Sequence, residues 1–125
     1  MAMESILTSI KKMLGITEDY KQFDPDIIMC INSVFVILNQ MGVGPSEGFR
    51  IDDEYATWSN FIPDDKDDSY LDLVKSYMAM KVKLLFDPPQ SSIVMEATNR
   101  MISEAEWRLY VAAESSNVEE ENQNE

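Results

Sequence analysis

The chain has 125 residues and a mass of 14.3 kDa, enough for one compact domain, and its 45% hydrophobic and 26% charged residues are ordinary globular usage. Ten Lys plus Arg stand against 23 Asp plus Glu, a net charge of −13, which excludes a broad basic face for nucleic-acid phosphate or anionic membrane surfaces. The absence of His and the presence of a single cysteine, Cys30, exclude His-dependent nucleophilic triads, an internal disulfide and a thiolate zinc site.

The longest apolar run is about five residues, far below the roughly 20 a membrane span needs, and the N-terminus has no apolar signal core. A soluble, acidic, mainly helical and non-enzymatic protein is expected.

Residues 4–14 carry Ile6, Leu7, Ile10, Met13 and Leu14 on one helical stripe, with Lys11 and Lys12 in the last turn and Gly15 as a left-handed cap. A second helix follows over residues 25–41, with Asp24 as N-cap, Pro25 at the first position and Gly42 as its stop. Its stripe of Ile27, Ile31, Val34, Leu38 and Met41 is widened by Ile28, Cys30 and Phe35. Such a helix is either central to its own domain or shared between the domain and a second subunit.

Residues 43–68 break helix with Gly44, Pro45, Gly48 and Pro63 and are strongly acidic. Phe49, Arg50 and Ile51 alternate as a short strand would, and Thr57 can cap a one-turn helix containing Trp58 and Phe61. Phe49, Ile51, Tyr55, Trp58, Phe61 and Ile62 are apolar anchors, which predict an ordered loop folded back on the helices.

A third long helix is expected from Asp68 or Ser69 to Phe86, with Leu71, Val74, Met78, Val82 and Leu85 inward and Lys75, Lys81 and Lys83 as its bases. Asp87, Pro88 and Pro89 end it. A fourth, residues 93–113, is capped by Ser91 or Ser92 and striped by Val94, Ala97, Met101, Ala105, Leu109 and Ala112. Trp107 and Tyr110 fall off that stripe, either as partner anchors or resting on Trp58 or Phe61. Residues 114–125 hold almost nothing apolar, so a single domain over 1–113 and a disordered acidic tail that orders on a partner are expected.

The acidic clusters at residues 52–54 and 64–68 lack the alternating ligands and central glycine of a calcium loop, and read as solvated turn and cap charges. Gly42-Val43-Gly44-Pro45 follows a helix and lacks a P-loop lysine. No carboxylate pair is set in contrasting surroundings, so neither catalysis nor a metal or cofactor is expected.

The ordered pieces LGITEDYKQFDPDIIMCINSVFVILNQMGVGP, ATWSNF, LVKSYMAMKVKLLFDPP and MISEAEWRLYVAAE together resemble the small head–tail connector (adaptor or head-completion) proteins of tailed bacteriophages. The resemblance spans about residues 6–114 and is carried by Phe23-Asp24-Pro25, Phe86-Asp87-Pro88-Pro89 and Glu106-Trp107-Arg108-Leu109. It implies a helical bundle, made in the host cytoplasm, that forms a ring of about a dozen copies beneath the portal vertex in the virion neck. It further implies an extended DNA channel, through which the duplex passes without specific binding, and a platform for the head-closure (stopper) or tail-completion protein. By position, portal contact falls on Trp107, Arg108, Tyr110, Glu114 and Val118, and the subunit interface on Ile28, Phe35, Trp58 and Phe61. The competing reading from charge alone is an acidic DNA mimic that blocks a host DNA-binding enzyme; mimicry needs carboxylates spaced along one elongated face.

Overall fold

The computed structural model describes residues 4–63 and 67–123, with side chains up to Ser115. Five helices follow in order: α1 (Ile6–Met13), α2 (Asp24–Gln40), α3 (Trp58–Phe61), α4 (Asp68–Phe86) and α5 (Ser92–Gln123). The fold is the small helical bundle expected. α4 packs against α1, α2 and α5, and α1 also packs on α2.

The core lies among these contacts. Ile6 and Ile10 of α1, Ile27, Ile31, Val34, Phe35 and Leu38 of α2, and Val74, Tyr77, Met78 and Val82 of α4 are buried together. At roughly 1.5–3 kcal/mol for each fully buried large side chain, this cluster is the main source of cohesion. α1 and α2 both end in Schellman geometry. Gly15 and Gly42 take positive φ, Ile16 N–H donates to the Lys11 carbonyl at 2.9 Å, and Val43 N–H donates to that of Leu38 at 2.9 Å.

The acidic loop is ordered and folds back on the helices through Val43, Ile51, Trp58, Phe61 and Ile62, all buried. It crosses α1 at one antiparallel bridge between Ser5 and Thr57, where Ile6 N–H donates to the Ala56 carbonyl and Trp58 N–H to that of Glu4. The indole N–H of Trp58 donates to Ser9 Oγ at 2.9 Å, which makes a serine acceptable in the core. The one-turn helix is capped as expected, with Asn60 Oδ1 accepting the Thr57 N–H at 2.9 Å. No strand forms at Phe49 to Ile51. Asn32 of α2 takes the place of a partner strand, accepting the Ile51 N–H at 2.8 Å and donating to the Ile51 carbonyl at 2.9 Å. Tyr55 is exposed, because Asp53 Oδ1 caps its N–H in a surface turn.

Three stripes differ from the sequence pattern. Met13 and Leu85 sit at helix ends beyond the reach of the core and are exposed. On α5 the inward face is Ile102, Ala105, Leu109 and Ala113, rotated from the expected line, and Val94 and Met101 face outward. The Tyr77 hydroxyl donates to Glu106 Oε2 at 2.7 Å, a contact across α4 and α5 consistent with this face.

α5 also continues past Ala113 to Gln123, where composition predicts no structure. A helix already docked over 102–113 extends without a new nucleation cost, and the Glu and Gln residues of the extension have high helix propensity.

Candidate interaction surfaces

Several polar side chains are occupied in holding the fold. Asp24, expected as an N-cap, lies inside α2, where the cap position is Phe23; its Oδ1 is 2.8 Å from the Nζ of buried Lys11. The same ammonium donates to the carbonyls of Glu18 and Tyr20 at 3.1 and 2.7 Å, while Asp24 Oδ1 meets it as an ion-pair partner outside hydrogen-bond alignment. Asp52 pairs with Arg50, and Glu54 with Lys21, whose pKa that hydrogen bond raises. Asp67 accepts the Ser69 N–H at the start of α4, which lowers its pKa; Asp64, Asp65 and Lys66 lie outside the described residues. Lys75 bridges Glu4 at 3.0 Å and stands 5.9 Å over the Trp58 ring. Cys30 is half-buried, and that burial pushes its thiol pKa up, away from a reactive thiolate. Among the described residues no group of three metal-ligating side chains converges, and no helix is long and apolar enough to cross a membrane.

The surfaces that can act are apolar and lie on α2 and α5. On α5, Trp107 is 67% exposed and Tyr110 57%, with Val111 beside them; the three are neighbours at i, i+3 and i+4. Neither aromatic rests on the acidic loop. Trp58 is turned to Ser9, and the Phe61 ring packs on Phe35 and Phe49 at 4.7 and 5.2 Å. Arg108 lies next to this ridge, held 2.8 Å from Glu104 one turn earlier, and Glu114 is exposed one turn beyond Tyr110. The Val118 backbone is helical, and its side chain lies outside the described residues. Further back on α5, Val94 and Met101 form a second exposed strip.

On α2 the outward arc is Met29, 69% exposed, and Val36, 58% exposed, with Ile28 half-buried beneath them. They form one wall of a groove closed on the other side by Phe49 and Arg50 of the loop. The four residues expected at the subunit contact differ in exposure within the single chain. Ile28 has partial access, but Phe35, Trp58 and Phe61 are closed into the chain's own core, where aromatic packing with Phe49 and the Ser9 hydrogen bond already satisfy them. Two-sided hydrophobicity in α2 is real, but its second side is carried by Met29 and Val36. The alternation of apolar residues around α2 signalled the second side without saying which residues the loop would cover.

Among the described residues the arrangement offers helices with exposed aromatic and aliphatic ridges. No curated protein and no solved structure matches the chain. A model of the phage connector protein family matches residues 6–116, nearly the whole described fold including both apolar surfaces, and the chain belongs to that family.

Proposed function

We propose that this chain, a structural head–tail connector of the phage neck by family, assembles as a ring beneath the portal vertex and joins the capsid to the head-closure or tail proteins. The observation that carries the reading is the family match together with apolar ridges on two different helices. A closed ring is built from heterologous contacts, so each subunit needs two different patches, and a further surface must meet the proteins above and below. The distal part of α5, with Trp107, Arg108, Tyr110 and Glu114 and the helical segment that runs on through Val118, is the portal-facing element in this reading. Exposed Trp, Tyr and Arg on a rigid helix are the residue types that dominate interface energetics.

The charge of −13 supports a conduit role. An acidic wall repels the duplex, so DNA passes through the channel and does not adhere to it. The test is reconstitution with the cognate portal, followed by electron microscopy. A ring added beneath the portal is the expected result; portals left bare at saturating protein overturn the reading.

A further inference from the structure

Two exposed apolar strips have no partner within the chain, and they lie at the same level of the bundle. On α2, Met29 and Val36 are seven residues apart; on α5, Val94 and Met101 have the same spacing. α2 and α5 run in the same direction. Phe23, at the entry to α2, packs edge-on against Phe86 at 5.4 Å, just before the short turn into α5. At the other end Gly42 faces Ala113, whose Cβ would stand 3.4 Å from a Cβ on that glycine. Met29 precedes Gly42 by thirteen residues and Met101 precedes Ala113 by twelve. At a rise of about 1.5 Å per residue, the two methionines lie at matching distances along their helices, about 20 and 18 Å from the Gly42–Ala113 approach.

That coincidence matters for a ring. Rotation about a single axis leaves height unchanged, so the two patches that neighbouring copies join must sit at one level when the axis runs along the helices. Charge points to the same occupant. Copies carrying −13 each repel one another, and contact is least unfavourable where local charge cancels. The Met29 strip is rimmed by Glu47 and Arg50, and the Met101 strip is flanked by the paired Glu104 and Arg108. Methionine on both sides suits such a joint, because its unbranched side chain adapts to an irregular neighbour.

We propose that the Val94 and Met101 strip of one copy packs against the Met29 and Val36 strip of the next, in a head-to-tail contact repeated around the ring. The assignment rests on the ring reading above and specifies which surfaces close it, leaving Trp107 and Tyr110 free for the axial partner.

Disulfide trapping tests it. Ser33 and Glu104 each lie nine residues before their reference points, Gly42 and Ala113, beside the two strips. Full-length protein carrying Cys30→Ser, Ser33→Cys and Glu104→Cys is oxidised at high concentration, with sedimentation run in parallel. A ladder of covalent multimers is expected, since each copy carries both halves of the joint on different helices. A product that stops at dimer means a back-to-back contact and overturns the proposal. Multimers in sedimentation without the ladder overturn the pairing and leave the ring intact. Monomer throughout overturns the contact, while the portal reconstitution judges the ring independently. A second variant, Met101→Glu, is expected to weaken association about tenfold or more, by burying an unpaired carboxylate, with an unchanged helical spectrum; unchanged association overturns the proposal.

Discussion

Lys11 Nζ lies 2.8 Å from Asp24 Oδ1, and the lysine that makes this pair is only 2% exposed. The pair ties the last turn of α1 to the first turn of α2. Through the Glu18 and Tyr20 carbonyls it also fixes the loop between them. From that loop an aromatic chain continues, with Tyr20 against Phe23 and Phe23 against Phe86, each at 5.4 Å. One ammonium therefore organises the end of the bundle at which α5 begins.

Replacing Lys11 by Met should cost about 3 kcal/mol or more, because the Asp24 carboxylate and two carbonyls lose their shared partner. Asp24→Asn keeps an acceptor near the ammonium and should cost less. Chemical denaturation measures both, and a Lys11→Met variant as stable as the parent would show that the pair is replaceable by apolar packing.

Tyr77 and Glu106 supply a pH signature. Burial, followed by the hydrogen bond to Glu106, holds the Tyr77 hydroxyl well above its ordinary pKa of 10. Burial raises Tyr70 in the same direction. The folded state thus favours the protonated phenols. Their contribution is fully present below pH 10 and is lost as pH rises from there toward the folded-state values. Stability measured by denaturation should fall above pH 10, and Tyr77→Phe should flatten that fall. At neutral pH the same variant should lose about 1–2 kcal/mol by leaving Glu106 without its donor. An identical alkaline slope in parent and variant would remove Tyr77 from the titration.

Helix ends and stops were plain in the sequence, because Gly15, Gly42 and the Asp87-Pro88-Pro89 stop act through local backbone geometry alone. The one-turn helix at Trp58 was legible for the same reason. Lys11 was not: a lysine in a last turn reads as a dipole partner, and its burial depends on carbonyls seven and nine residues away. The face of α5 is not legible in the sequence because Met101 and Ile102 are both strongly apolar, and long-range contacts such as Tyr77 to Glu106 across to α4 distinguish them. The burial of Phe35 and Phe61 depends on the same kind of long-range choice, since Phe49 of the loop covers them. Trp107 and Tyr110 are visible in the sequence as an aromatic pair off the small-residue stripe of α5, but whether they meet the loop or solvent is decided only by the fold, which leaves both exposed.

Gly44 and Gly48 separate backbone strain from steric clash. Both take positive φ, +88° and +93°, but a Cβ at Gly44 would collide with the Phe61 ring, whereas none lies near Gly48. Gly48→Ala should cost about 1–2 kcal/mol from the left-handed conformation alone. Gly44→Ala should cost at least 1 kcal/mol more, by displacing Phe61 from Phe35 and Phe49. Equal losses in thermal unfolding would mean that Phe61 moves aside freely.

The exposed ridge of α5 should matter to binding and not to folding. Trp107→Ala removes a side chain that is 67% exposed, so unfolding stability should stay within about 0.5 kcal/mol of the parent. If Trp107 anchors the portal, as the proposed function holds, affinity for the portal should drop by about 2 kcal/mol, roughly thirtyfold. Deleting residues 114–125 should likewise leave the folded body intact, because Ala113 is the last buried residue of α5 among the described side chains, and should weaken portal binding. Sedimentation of portal mixtures with parent, Trp107→Ala and truncated protein reads all three outcomes. Loss with truncation alone would move the contact to the distal segment. Loss with Trp107→Ala alone would confine it to the aromatic ridge. Undiminished binding by both would take the distal half of α5 out of the portal contact.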